Sequence, residues 1–198
     1  LLDSNDIKEK NLFENNLNVD LNFGEVYFDK INFVKDLNGK INIINNKVEE
    51  ADILAFYNNS QNIKFTIKKN DQGEKITTLF SSKAKPLVDR YKFIKGFKDD
   101  REGYLDFYSS KKNGVSTSKL VVDNFKVKEI PALAKLLALA SLQGIADLLT
   151  GEGIRFTDFE MNFTNEGKHM RIQELYAIGP AISISVSYTH LRAHETTN

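Results

Sequence analysis

Cysteine and tryptophan are absent from the 198 residues, methionine occurs twice and proline three times. Without cysteine there is no disulfide, no thiol nucleophile, no iron–sulfur cluster and no cysteine-ligated zinc. The redox compartment stays open. An excess of either charge is lacking too: 27 Lys+Arg stand against 27 Asp+Glu. A neutral chain without a basic stripe lacks the phosphate affinity of a nucleic-acid binder. What is present is 41% hydrophobic residues, 11% aromatic, with 14 Phe. That is the composition of a folded chain, and abundant Phe with scarce Pro favours strands.

Catalytic motifs are missing as well. No GxSxG elbow, HExxH pair, P-loop or framed carboxylate pair occurs, so neither an enzyme nor a cofactor or metal is expected. Gly151-Glu152-Gly153 has no third glycine for a phosphate loop and reads as a helix stop with a turn. Asp99-Asp100-Arg101-Glu102 has no apolar frame and reads as a solvated turn. The sequons at Asn58 and Asn162 are too common a tripeptide to carry weight.

The chain opens on Leu1, and nothing before Lys8 has the charged start and apolar stretch of a signal peptide. It is expected to begin inside a longer gene product, which leaves localisation open. Val186 to Thr196, VSYTHLRAHET, reads as a translated sequencing adapter, and residues 186–198 are set apart as artefact. His190 and His194 fall inside it, so their four-residue spacing carries no metal expectation. Only His169 is left, and a lone histidine in a strand is ordinarily structural or solvated.

Periodicity of two dominates the first part. Leu17, Val19, Leu21 and Phe23 alternate with Asn and Asp up to Gly24, and Val26 and Phe28 continue the run. Asp36-Leu37-Asn38-Gly39 reads as a turn, because Asn-Gly accepts positive φ cheaply. Ile41 and Ile43, then Ile53 and Ala55, then Ile63, Phe65 and Ile67 follow in further strands, with turns at Asn58–Gln61 and Asn70–Gly73. Residues 1–80 are thus expected to form an antiparallel meander. Ser81-Ser82-Lys83-Ala84-Lys85-Pro86, with a serine as N-cap and proline in the first turn, predicts a helix over 83–95. Strands resume at Tyr104–Tyr108 and Leu120–Val127.

Pro131 to Gly151, PALAKLLALASLQGIADLLTG, predicts a long Leu/Ala helix over 131–150, about 30 Å in length. Its length is near that of a membrane span. Lys135 and Asp147 would each cost about 2.5–3.5 kcal/mol at a bilayer centre, so a helix packed at a sheet edge or end is preferred. Ile154 and Phe156, then Phe159, Met161 and Phe163, predict a strand whose change of phase suggests a bulge. Met170, Ile172 and Leu175 return, Gly179-Pro180 breaks the chain, and Ile182 and Ile184 alternate with serines. The expected class is mainly β with two helices, an α+β fold.

The stretch from Leu120 to Val186 resembles the C-terminal module of AsmA-like proteins, in the YhdP-type branch. The resemblance rests on Asp123-x-Phe125-x-Val127, the proline-started Leu/Ala helix with Ala140 to Gly144, the Gly151 to Phe156 pattern, and the Gly179-Pro180 close. It extends over 81–185 as one module and reaches the first half only as a β pattern. It implies a curved sheet or groove of the bridge-like lipid-transfer type. It also implies a periplasmic protein anchored in the inner membrane through parts missing from this chain. Such proteins move phospholipid towards the outer membrane and support its integrity.

On that resemblance, the partners are phospholipid acyl chains and other envelope proteins. Ile154, Phe156, Phe159, Met161, Phe163, Ile172, Ile182 and Ile184 are the lipid-groove candidates. A meander with one apolar face must cover it with a second sheet, a helix or bound acyl chains. The same residues therefore equally suit a sealed core. The alternative function is a structural or regulatory envelope protein that binds another protein through its sheet edge or long helix.

Overall fold

A computed structural model describes residues 16–91, 97–98, 103–127 and 153–191. They form one 11-stranded antiparallel sheet: β1 (Leu17–Tyr27), β2 (Phe33–Ile44), β3 (Lys47–Phe56), β4 (Asn62–Lys69), β5 (Lys75–Ser81), β6 (Phe97–Lys98), β7 (Leu105–Lys112), β8 (Val115–Val127), β9 (Ile154–Glu166), β10 (His169–Ile178) and β11 (Ser183–Leu191). Spatial order follows the chain from β1 to β11, with the two-residue β6 paired to β8 off that path. One helix is described, α1 (Lys85–Tyr91).

The expected class is corrected by this arrangement. The described residues are almost all strand and carry one short helix where two were expected. The predicted helix over 131–150 and the Asp99–Glu102 turn lie outside the described residues. The helix predicted over 83–95 is found at Lys85–Tyr91, and 92–95 lie outside the description. Ser81 is not its cap. It ends β5 fully buried, and its hydroxyl donates to Lys83 O at 2.7 Å and shares a 2.9 Å hydrogen bond with the Tyr57 hydroxyl.

Two turn signals also behave differently from expectation. Asp36 to Gly39 lies inside β2, where Asp36 takes φ 50° and the pairing with β3 shifts register. Gly39 is needed for close approach instead of turning. A Cβ there would stand 2.7 Å from Asp52 O and 2.9 Å from Ile53 Cγ1. The hairpin falls on Asn45-Asn46, at φ 50° and 59°, the left-handed pair that a two-residue turn between twisted strands requires.

The phase change between Phe156 and Phe159 is real but involves no inserted residue. Val122↔Phe159, Asp123↔Asp158 and Phe125↔Phe156 keep one continuous register, and both strands change face together beside Asn124, at φ 47°. An irregularity does occur in β10, between Ile172 and Glu174, and it accounts for the three-residue spacing from Ile172 to Leu175.

Ala84, Leu87 and Val88, at and within α1, pack on Leu105, Val122, Phe125, Val127, Ile154, Phe156 and Ala177, all buried. Each large member contributes about 1.5–3 kcal/mol by leaving water. These sheet residues come from the start of β7, the close of β8, the start of β9 and the close of β10, which lie at one end of the sheet. Only that end of one face lies under α1.

An apolar row across ten strands as candidate functional site

Alternation puts every second side chain of a strand on one face, and antiparallel register decides which side chains stand abreast. Following the pairing across the sheet gives Leu21↔Gly39↔Ile53↔Phe65↔Leu79↔Phe107↔Leu120↔Met161↔Leu175↔Val186. One residue comes from each strand of the main path, and none is polar. At about 4.8 Å per strand the row is about 43 Å long. All ten residues are half-buried.

The row beside it lies towards α1. Ala55, Ser81, Leu105, Val122 and Ala177 are buried there, and Ile63, Phe159 and Ile184 of the same row are half-buried, so this row is closed in part. The opposite face is polar at the same level. Asp20↔Lys40↔Asp52↔Thr66↔Thr78↔Tyr108↔Lys119↔Asn162↔Glu174↔Ser187 run abreast. That face is laced by Lys68–Asp52 at 2.8 Å, Thr66–Thr78 at 2.7 Å and Lys119–Glu160 at 2.9 Å. Hydrogen bonds from Lys68 and Lys119 hold the Asp52 and Glu160 carboxyls below their ordinary range. The sheet is amphipathic from edge to edge.

The eight candidate residues share the apolar face, but they divide by depth. Ile154, Phe156 and Phe163 are buried, and Phe156 stacks on Phe125 with ring centroids 5.6 Å apart. These are core residues. Phe159, Met161, Ile172, Ile182 and Ile184 are half-buried. Of these, Met161 belongs to the ten-strand row, and Phe159, Ile182 and Ile184 pack against the core from its margin. The first-half members, Leu21 to Leu79, were not among the candidates. Their alternation was legible, but which residues stand abreast depends on hairpin register.

Two cavities lie elsewhere. One of about 520 Å3 sits over Tyr108, Lys119, Asn162 and Glu174, and one of about 580 Å3 over Asp20, Lys40, Asp52 and Lys68, both lined chiefly by polar side chains. Asp123 and Asp158 face each other across β8 and β9. Burial, then repulsion from Asp158, raises the Asp123 carboxyl above its ordinary 3.8. Among the described residues, no group of three or more His, Cys, Asp or Glu is placed to hold a metal ion, and no helix is long and apolar enough to cross a membrane. In comparisons with known proteins, no family model, no curated protein and no solved structure matches the chain.

Proposed function

We propose that this chain is a non-catalytic piece of a cell-envelope protein whose open apolar face carries phospholipid acyl chains between membranes. The single observation behind this reading is the row from Leu21 to Leu175, apolar at each of nine strands and half-buried throughout, with Val186 of the segment set apart as artefact beyond it. A row of that kind has no polar member to stop or orient a hydrocarbon. Each methylene laid on it gains up to about 0.8 kcal/mol from leaving water. A leaflet's hydrocarbon is about 15 Å deep, half of a bilayer core, so one acyl chain would cover a third of the row. The resemblance of Leu120 to Val186 to AsmA-like proteins supplies the periplasmic setting and the membrane anchoring through other parts of the protein.

The test places a photo-crosslinking residue at Met161, and separately at Phe65, in protein expressed in a Gram-negative host. Mass spectrometry then identifies the adducts. Lipid adducts at both positions are the expected result. Adducts with protein alone would overturn the reading in favour of an envelope protein that docks another chain. The variant Met161→Asp should abolish lipid capture at Phe65 while circular dichroism stays unchanged.

A further inference from the structure

Besides buried Ser81, the apolar face is interrupted by hydroxyls in the middle of the sheet. One step from the ten-strand row, away from α1, Thr77↔Ser109↔Ser118 replace hydrophobic residues on β5, β7 and β8. Their neighbours abreast are Ile67 on one side and Phe163 on the other. Ser118 is 4% exposed and donates to Ser109 Oγ at 2.9 Å. One step further, Lys69↔Lys75↔Lys111 stand abreast on β4, β5 and β7.

Three lysines abreast repel one another, and like charges directly opposite destabilise a sheet. Glu49 offsets part of this repulsion, meeting Lys69 at 2.8 Å and Lys75 at 3.2 Å. Lys75 also donates to Val48 O at 2.7 Å. Lys111 has no carboxylate partner among the described residues. The group therefore keeps an excess of two positive charges on a face that is otherwise hydrocarbon. Polarity alone would be served by any soluble side chain at a strand end. The sequence lysines, then hydroxyls, then hydrocarbon matches the order of parts in an anionic amphiphile.

We propose that Lys69, Lys75 and Lys111 bind the anionic head of such an amphiphile, with Thr77 and Ser109 beside its polar linker and its chain on Leu79, Phe107 and Leu120. The head site rests on the hydrocarbon reading above, and it adds charge selection to it. A phosphate ester and a fatty carboxylate share this chemistry. The lysines would favour the doubly charged phosphate monoester through charge-assisted hydrogen bonds.

The experiment measures binding of short-chain phosphatidic acid, of the diacylglycerol with the same chains, and of the fatty acid, each below its aggregation limit. The full chain is compared with Lys111→Gln and Glu49→Gln, and folding is checked by circular dichroism. Phosphatidic acid is expected to bind about tenfold tighter than diacylglycerol, with the fatty acid between them, and the preference should shrink as salt is raised. Lys111→Gln should remove most of the preference and leave diacylglycerol binding unchanged. Glu49→Gln frees two lysines and should strengthen phosphatidic acid binding several-fold. Equal binding of phosphatidic acid and diacylglycerol overturns the head site and keeps the hydrocarbon row. Binding of neither lipid overturns both.

Discussion

Replacing Phe156 and Met161 separately by alanine measures how differently two rows of one sheet face are covered. Phe156 is 3% exposed under α1 and stacks on Phe125, whereas Met161 is half-buried in the ten-strand row. Truncating a buried phenylalanine costs about 3–5 kcal/mol, through lost transfer energy and the cavity left behind. Fully burying a methionine side chain is worth about 1.5–3 kcal/mol, so half-burial puts Met161→Ala near 1 kcal/mol. Total stability of a folded domain is about 5–15 kcal/mol, and Phe156→Ala removes a large part of it. With a urea slope of about 2 kcal/mol per molar, the midpoint should fall by about 2 M for Phe156→Ala and about 0.5 M for Met161→Ala. Urea unfolding followed by circular dichroism reads both values. Equal shifts at the two positions would mean that the row is sealed as thoroughly as the end under α1, and the reasoning from exposed hydrocarbon would fall.

Asp123→Asn should stabilise the protein at neutral pH by about 0.2–1 kcal/mol, the scale of a cross-strand charge pair. The Asp123 carboxyl is raised when folded, so its own contribution to stability falls as pH climbs from 3.8 through the folded value, and the advantage of Asp123→Asn over the wild type grows over that range. Thermal melts of the wild type and Asp123→Asn across pH 3–7 whose difference does not grow with pH would refute the raised Asp123 carboxyl. Burial likewise raises the Tyr57 hydroxyl above its ordinary 10.0. Unfolded chains then ionise first and stability falls as pH rises past 10, which ultraviolet titration of folded and urea-unfolded protein would detect as two separate transitions. Tyr57→Phe removes one of the three hydrogen bonds of buried Ser81 and should cost about 1 kcal/mol in the same urea assay. Gly39→Val forces a side chain against Asp52 O and Ile53 and should cost about 1–3 kcal/mol. A neutral result there would mean that the β2–β3 approach is looser than described.

Much of the strand content could be read from alternation alone. Ile63, Phe65 and Ile67 lie in β4, with turns at Asn58–Gln61 and Asn70–Gly73 as expected. The misplaced turn at Asp36 to Gly39 has a local cause. Asn-Gly permits a left-handed turn but does not demand one, and a glycine that admits a neighbouring strand has the same one-letter signature. The helix forecast rested on capping and composition, which do not decide how much of a sheet face a helix covers. Depth was the least legible quantity. Phe156 and Met161 share a face only because of the phase change beside Asn124, and packing under Ala84, Leu87 and Val88 closes the first position and not the second. The row itself needed the register of nine ladders. A shift of one residue in any of them would have exchanged its faces.

Consecutive pairing has a further consequence, for how the molecule assembles. Along the main path the strands pair in chain order, most of them through short turns, while β5–β7 and β8–β9 close over longer stretches, and most contacts join residues at least twelve apart. Loop closure costs little for the hairpin ladders and more for β5–β7 and β8–β9. Each added hairpin finds its template already in place. Loss of order should accordingly start at β1 and β11, which have one neighbour each, and amide exchange should slow towards β8 and β9.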